Sequence, residues 1–302
     1  MLIDKPEGIT SHDVVARVRR ILGTKEVGHT GTLDPFATGL MVLLIGQATK
    51  LSDYLRDGDK GYRVEVKLGL ETDSLDRTGQ IQQSLEVHLS SDKIKKAILA
   101  AQGELELPVP MFSAVKIKGK KLYQYAREGA EILVPIKSMN FYSVKIIDIS
   151  PDSFIAEVSC SKGSYIRAWA KYIGELLGVP ATAMELRRTH SSHFQLDSAV
   201  TLEQLETSSG FSGCFLTPLV KALPDWKTVT VGGKDLKLLK SGQISHDVQR
   251  RLVFEQKTAQ KNGKILGIKV ISGESGELLS LLEASPNHKL KVKRVFQYAD
   301  RH

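Results

Sequence analysis

The sequence predicts a protein of two domains that contains both helices and strands. Its 302 residues exceed the roughly 100–200 residues of one ordinary domain. Residues 11–22 have the apolar spacing of a helix, and residues 62–68 alternate strictly, as a half-buried strand does. A proline- and glycine-containing segment at residues 222–233 marks a boundary. We therefore place a first domain at residues 1–225 and a second at residues 228–302.

The composition excludes several classes of protein. Apolar residues make up 41% and charged residues 25% of the chain, as in globular proteins, so a disordered chain is not expected. We expect no membrane span, because no run approaches the ~18–20 apolar residues it needs, and no secretory signal at residues 1–5. Cys160 and Cys214 form no CxxC motif, which favours free thiols in a reducing cytoplasm over a disulfide or zinc site.

The charge is unevenly distributed. The net charge is +8, and residues 228–302 contain 14 basic but only 7 acidic side chains, whereas the preceding part is nearly balanced. A basic module on a neutral body is typical of proteins that bind a polyanion, with nucleic acid as the first choice. A solvated basic surface without a ligand is the alternative.

The first elements can be placed in order. Residues 11–22 have Val14 and Val18 on one face, and Thr10 or Ser11 can cap the helix. A polar, glycine-rich loop at residues 28–39 then leads into an apolar run.

The later elements follow from the same signals. In order, the sequence predicts a strand at 62–68, a turn-like segment at 71–79, a helix at 92–102, a turn at 118–120, strands near 141–149 and 154–160, a helix at 164–177, and a short helix after 201. Short apolar runs at 265–271, 278–282 and 290–296 predict a small β-rich second domain.

Several catalytic motifs are absent from the sequence. It contains no P-loop, no GxGxxG, no HExxH and no GxSxG motif, and no acidic ligand completes a metal set with His190 and His193. We therefore expect no cofactor and no metal, and if the protein is an enzyme, its own side chains must do the chemistry. Asp34 is the best catalytic candidate, because it lies between a glycine-rich loop and an apolar run, and Pro35 restricts its backbone. An ordinary Asp-Pro turn is the alternative.

Five segments resemble, in order, the motifs of the TruB family of pseudouridine synthases. The signature is Gly28-His29-Thr30-Gly31-Thr32-Leu33-Asp34-Pro35, continuing through Ala37-Thr38-Gly39-Leu40. The other matching segments are Leu2 to Ser11, Lys60 to Gly79, Pro110 to Arg127, and Cys160 to Arg167, followed by Leu186-Arg187-Arg188-Thr189. The ordered set covers residues 2–190 and is very specific. The final 75 residues resemble only loosely a small PUA-type RNA-binding domain.

The resemblance implies both a fold and a reaction. The fold is an α+β pseudouridine-synthase-like domain with a mixed, largely antiparallel sheet flanked by helices, plus a small C-terminal PUA-like β-barrel. The reaction is the isomerisation of uridine 55 in the tRNA T-loop to pseudouridine, by a monomer that binds the T-arm and acceptor stem. A guide-RNA-dependent pseudouridine synthase and a non-catalytic tRNA chaperone are the alternatives.

The resemblance also implies roles for five residues. Asp34 matches the essential aspartate, a carboxylate suited to act as nucleophile or proton acceptor. Arg167 matches an arginine that keeps this carboxylate ionised, and Asp76 matches an acidic residue of the same network. Tyr62 matches a tyrosine that stacks on the target base, although a strand tyrosine can simply be core. His29 matches a histidine that fills the gap left by the flipped base.

Four further residues are expected to bind substrate. Lys116, Tyr123 and Arg127 lie in a segment that mixes cations with aromatic rings, which suits phosphate contacts and stacking. A solvated hairpin is the alternative for this segment. Lys5, in the first motif, completes the set.

Overall fold

The chain forms two compact units. The computed structural model describes residues 1–130, 132–208, 215–263, 265–286 and 290–298. The first unit comprises residues 1–43 and 56–212, and the second comprises residues 44–55 and 213–302.

The division differs from the sequence-based boundary at one internal segment. Residues 44–55 pack with the second unit, although the sequence assigned them to the first domain. The reason is local packing: the Tyr54 ring meets Trp226 edge-on at 5.0 Å between centroids, and Arg294 lies 3.3 Å from a carboxylate oxygen of Asp53. Cys214 lies outside the described residues.

The chain up to residue 208 contributes most of the elements. Its strands are β1 (Leu2–Lys5), β2 (Val27–His29), β3 (Thr38–Ile45), β4 (Lys60–Leu68), β5 (Leu70–Thr72), β6 (Ile81–Ser84), β7 (Gly103–Pro108), β8 (Lys116–Ile117), β9 (Lys120–Lys121), β10 (Ile136–Ser150), β11 (Ser153–Cys160), β12 (Ala181–Ser191), β13 (Phe194–Gln195) and β14 (Val200–Thr201). Its helices are α1 (Ser11–Leu22), α2 (Ser52–Arg56), α3 (Ser91–Ala100), α4 (Leu122–Arg127), α5 (Ile166–Leu177) and α6 (Leu202–Thr207).

The first unit is built on one large mixed sheet. Its strand order is β14-β1-β3-β12-β4-β11-β10-β7, with β2 attached to β3 and β13 to β12. The β1–β14 and β3–β12 pairs are parallel, whereas β1–β3, β12–β4, β4–β11, β11–β10, β10–β7 and β12–β13 are antiparallel. This confirms the predicted α+β class with a largely antiparallel sheet. Val64 and Val66 of β4 are fully buried, as the alternation predicted.

Helix α1 begins and ends where the sequence predicted. Thr10 caps it, because its hydroxyl accepts from the Asp13 backbone N–H while the Asp13 carboxylate accepts from the Thr10 N–H. Gly23 ends the helix in the left-handed conformation. Val14 and Val18 are fully buried, so the apolar face predicted from the spacing is the face that packs inward.

Helix α5 is fixed to the sheet by Trp169. The indole is fully buried, stacks on Phe141 at 5.9 Å, and meets Phe154 edge-on at 6.3 Å between centroids. Its Nε1–H donates to the Ala101 carbonyl at 2.8 Å. Because Arg167 lies two residues earlier on this helix, the same packing fixes the backbone from which that side chain extends.

The second unit contains a four-stranded sheet and more helix than the sequence predicted. Its further elements are β15 (Lys227–Val231), α7 (Gly233–Lys240), α8 (His246–Arg251), α9 (Val253–Asn262), β16 (Leu266–Ser272), β17 (Leu278–Ala284) and β18 (Leu290–Val295). The strand order is β15-β16-β17-β18, with β15 and β16 parallel. The predicted sheet domain is confirmed, but its described strands pair as an open sheet. Within the described ranges, no helix is long and apolar enough to cross a membrane.

Candidate active site

A cavity of about 850 Å³ opens in the first unit. Its wall comprises the loop after β2, part of β4, the segment from the end of β11 into α5, and β12. Asp34, Tyr62, Arg167 and His29 all line it. The structure thus brings four of the nine predicted site residues to one cavity.

Hydrogen bonds fix the loop on both sides of Asp34. The Ser11 hydroxyl donates to the Leu33 carbonyl at 3.0 Å and accepts from the Leu33 N–H at 2.8 Å. The Pro35 carbonyl accepts from the Gly8 N–H at 2.9 Å and from Lys5 Nζ at 3.2 Å. Asp34 therefore extends from a backbone that is held before and after it.

Arg167 joins the two predicted carboxylates. Its Nε lies 2.9 Å from Asp34 Oδ2, and its Nη1 lies 3.4 Å from Asp76 Oδ2. Nη1 also donates to the Ser74 carbonyl at 2.6 Å, and Nη2 donates to the Phe112 carbonyl at 2.9 Å. The Arg167 and Asp76 side chains are only 3% and 6% exposed, whereas Asp34 is 32% exposed. Asp34 is thus the member of the network that substrate can reach.

Asp76 is held by its own turn. Its Oδ1 accepts from the Thr78 N–H at 3.0 Å, from the Thr78 hydroxyl at 2.6 Å, and from the Ser74 hydroxyl at 2.9 Å. Three hydrogen bonds to one oxygen leave Oδ2 directed at Arg167. Asp76 therefore positions the guanidinium and is not among the residues that line the cavity.

Opposing effects set the protonation of Asp34. Burial raises the pKa of its carboxyl, the charge of Arg167 lowers it, and the nearby Asp76 carboxylate raises it again, with a net upward shift. A raised pKa makes the carboxylate more basic. Among the neighbouring charges, that of Arg167 has the largest effect in favour of the ionised form.

Tyr62 and His29 present rings to the same cavity. Tyr62 is half-buried; burial raises the pKa of its hydroxyl, and the charge of Arg188 opposes that shift. Burial lowers the pKa of His29, and Arg188 lowers it further, so this imidazole is neutral at pH 7. Both rings can contact a base without adding charge.

The predicted substrate contacts of Lys5 need correction. Its side chain is fully buried, and Nζ donates to the carbonyls of Pro6 and Pro35. Burial lowers the pKa of Lys5 to about 8, with the charge of Asp34 acting in the opposite direction. Lys5 therefore supports the Asp34 loop from beneath and does not reach a ligand.

Lys116, Tyr123 and Arg127 lie outside the cavity wall, on the β8–β9 hairpin and helix α4. Lys116 and Arg127 are exposed, and the Arg127 guanidinium lies 5.5 Å from the Tyr123 ring centroid. The segment is tied to the site by its base, because the Tyr123 N–H donates to the carbonyl of Ser113, a cavity-lining residue.

Sequence reasoning missed several residues of the wall, among them Arg188, Lys60, Ser113, Tyr165 and Cys160. For Arg187 and Arg188, alternation in a strand puts one of two adjacent arginines on each face but does not say which faces the site. The Cys160 thiol is buried and its pKa is raised to about 12, so it is a poor nucleophile. Within the described ranges, no three His, Cys, Asp or Glu side chains are placed to hold a metal ion.

The chain matches known proteins over most of its length. Residues 19–166 match the model of the TruB family pseudouridylate synthase N-terminal domain, and residues 167–212 match that of the tRNA pseudouridylate synthase B C-terminal domain. The tRNA pseudouridine synthase B of Bdellovibrio bacteriovorus is 45% identical over 304 residues, covering 99% of this chain and 97% of that protein. The chain belongs to the TruB family. It is therefore an RNA pseudouridine synthase, and the resemblance of its motifs is confirmed.

Other relatives agree with this assignment. The tRNA pseudouridine synthase B of Alkaliphilus oremlandii is 50% identical over 202 residues, or 67% of this chain and 68% of that protein. Among solved structures, a chain of an H/ACA RNP bound to a substrate RNA has a TM-score of 0.69 at 21% identity, covering 99% of this chain and 86% of that chain. A chain of a Cbf5-Nop10-Gar1 complex has a TM-score of 0.66 at 22% identity, covering 98% and 84%. At this identity the TruB chain shares their fold.

Proposed function

We propose that this TruB-family enzyme converts uridine 55 in the T-loop of tRNA to pseudouridine. The observation that supports this best is the pairing of a partly exposed Asp34 with a buried Arg167 at the wall of a cavity large enough for a flipped nucleotide. The names of its relatives, which are tRNA pseudouridine synthases at 45–50% identity, support tRNA as the substrate.

The reaction is an isomerisation that uses only side chains. The bond between N1 of uracil and C1′ of ribose breaks, the base turns, and C5 bonds to C1′, while the C5 proton leaves and N1 gains one. Asp34 Oδ2 is held by Arg167, so Oδ1 is the oxygen left to attack as a nucleophile or to take a proton. Either role needs the ionised carboxylate, which is what Arg167 favours.

The aromatic groups of the site suit base flipping. Removing a base from its stack requires a few kcal/mol, and stacking on a protein ring recovers part of it. We assign the stacking of the target base to Tyr62 and the space it leaves in the RNA to His29. Lys116, Tyr123 and Arg127 then contact the T-arm from the hairpin and helix α4.

The second unit is proposed to bind the acceptor stem. Lys291 and Lys293 lie two residues apart on its edge strand β18, and two cations on one face of a strand suit a phosphate backbone. We further propose that the enzyme acts as a monomer in the cytoplasm. Binding should weaken as salt rises, because the released counterions then return less entropy.

The test is direct mapping of the product. Purified protein is incubated with an unmodified tRNA transcript in EDTA, and pseudouridine is mapped by carbodiimide labelling and primer extension. We expect one new pseudouridine at position 55, none on a transcript with cytidine there, and none with Asp34→Asn. Asp148→Asn, at an exposed aspartate of β10, is the matched control and should leave the yield unchanged.

The two alternatives predict different results. A guide-dependent enzyme would bind the bare transcript but yield no pseudouridine without a guide RNA. A chaperone would keep its effect on tRNA folding with Asp34→Asn. The relatives at 45–50% identity favour the stand-alone tRNA enzyme over the guided complexes, whose chains are only 21–22% identical.

A further inference from the structure

Two basic side chains of the cavity wall form no ion pair among the described residues, although the charges of Asp57 and Asp59 act on one of them, Lys60. Arg188 and Lys60 are 2% and 7% exposed, and both line the cavity that contains Asp34. Neither forms an ion pair within the described part of the chain. A buried charge is costly unless an opposite charge or several hydrogen bonds compensate it.

Backbone carbonyls provide part of that compensation. Arg188 donates from Nε to Leu40 at 2.7 Å, from Nη2 to Gly31 at 3.1 Å, and from Nη1 to Thr32 at 3.4 Å. A guanidinium has five N–H donors, so these three bonds leave two N–H groups available.

Lys60 also keeps an N–H group that is not used in its hydrogen bonds to backbone carbonyls. Its Nζ donates to the carbonyls of Arg56 and Gly58, which occupies two of its three N–H groups. The charge of Arg188 lowers the pKa of Lys60, after the larger effect of burial, so the two cations repel each other. An anion placed between them would relieve this repulsion and could accept from the remaining N–H groups of both side chains.

Gly31 leaves room for such an anion. A Cβ on this residue would lie 3.4 Å from Arg188 Nη1 and 3.9 Å from Lys60 Cε. Those are ordinary contact distances, and Gly31 is not among the residues with positive φ. Neither backbone conformation nor steric overlap demands glycine here, so the missing side chain keeps the space beside both cations open.

We propose that Arg188 and Lys60 together bind one phosphodiester group of the RNA, at a linkage adjoining the target uridine. This site rests on the proposed function, because a uridine flipped into the cavity brings a phosphodiester with it on each side. Arginine offers a directional fork and lysine a point charge, a combination that suits a singly charged oxyanion. The phosphate would hold the nucleotide while its base is detached and turned.

The test measures coupling between protein and RNA. The dissociation constant is determined for tRNA transcripts that carry one neutral methylphosphonate linkage on the 5′ or the 3′ side of the target uridine. For the unmodified enzyme, we expect neutralising one of these linkages to weaken binding about tenfold, as for the loss of a hydrogen bond to a charged group. Lys60→Met should weaken binding to unmodified RNA by about the same factor. It should not weaken binding further to the RNA whose neutral linkage already removes this contact.

Two other variants complete the design. Lys67→Met, at the half-buried and ion-paired end of the same strand β4, should change neither affinity. Gly31→Ala keeps both cations but fills the space beside them, so it should weaken binding several-fold and also lose sensitivity to the neutral linkage. Thermal melting of each variant checks that the fold is retained, and Gly31→Ala keeps the test open if Lys60→Met is unstable.

Two outcomes would overturn the proposed phosphate site. If Lys60→Met and Gly31→Ala bind normal RNA as well as the unmodified enzyme, or weaken binding by the same factor at every linkage, no phosphate is bound there and Arg188 only supports the loop. Because the readout is affinity and not product, failure of this site is distinguishable from failure of the proposed reaction, which the mapping of pseudouridine tests separately.

Discussion

Two buried arginines line the same cavity and have opposite surroundings. Arg167 and Arg188 are each 2% exposed. Arg167 contacts two carboxylates, those of Asp34 and Asp76, whereas Arg188, in the described part of the chain, donates its hydrogen bonds to backbone carbonyls. The neighbours of a buried cation therefore determine its function. Arg167 is neutralised by the protein and prepares a catalytic group, while Arg188 keeps an unneutralised charge for the substrate.

The largest effect should come from removing the neutralised arginine. Arg167→Met leaves two carboxylates facing each other without their cation, so we expect a rate at least about 100-fold lower and a free energy of unfolding lower by about 3–5 kcal/mol. The acid limb of the pH–rate profile should move to higher pH, because the group that lowers the pKa of Asp34 is lost. Single-turnover rates and urea unfolding measure both. A rate within threefold of normal would contradict the pairing.

The backbone contact beneath Arg188 gives the next effect. Gly39 has a φ of +100°, and a Cβ there would lie 2.4 Å from the Arg188 carbonyl oxygen. We expect Gly39→Ala to destabilise by about 2–5 kcal/mol, from backbone strain together with overpacking. Gly103→Ala is the matched control, because Gly103 has a similar φ of +94° but nothing within 4 Å of its Cβ position. The free energy of unfolding of both variants is measured in urea. If Gly39→Ala and Gly103→Ala lower it equally, the close contact at Gly39 has no effect.

The pH dependence of the normal enzyme tests the Arg167 side of the comparison. Since the folded pKa of Asp34 is raised above 3.8, its ionised form is lost at higher pH than for a free aspartate. The single-turnover rate should therefore fall as pH falls, by about tenfold per unit below that pKa. RNA affinity over the same range is the control. A rate that stays constant down to pH 4 would show that the pKa of Asp34 is not raised.

The smallest effect is expected from Asp76→Asn. The amide can keep the bonds from Ser74 and Thr78 but loses the charge that faces Arg167, so we expect the rate at pH 7 to fall roughly 3–10-fold. Its acid limb should move to lower pH, opposite to that of Arg167→Met, because the Asp76 charge raises the pKa of Asp34. If the acid limbs of the pH–rate profiles of Asp76→Asn and Arg167→Met move in the same direction, this electrostatic account is refuted.

Local signals in the sequence were sufficient for most of the first unit. The Thr10 and Asp13 capping box, the valines of α1 and the alternation of β4 each specify their element within a few residues, and tertiary packing agrees with them. In the second unit the same reasoning failed for α7, α8 and α9. Helix α9 buries Glu255 and Ala259 and exposes Phe254, so it lacks an apolar stripe by which a helix is recognised.

The site was predictable only where a motif names the residue. Asp34, Arg167 and Asp76 meet as the resemblance implies. Lys5 was expected to bind substrate as part of the first motif, and no local pattern indicates that it is buried against the loop it supports. Arg188 and Lys60 lie near each other because of the register of β12 against β4, and the pattern of a single strand does not specify that register.

The segment formed by residues 44–55 has a consequence for modularity. The chain leaves the first unit inside β3, contributes Leu51 and Leu55 to the second unit, and returns at residue 56. A single cut near residue 212 therefore does not separate the units, since it would remove the partners of this segment, such as Trp226 beside Tyr54 and Arg294 beside Asp53. If the C-terminal unit is exchanged between relatives, in the laboratory or in evolution, residues 44–55 have to be exchanged with it.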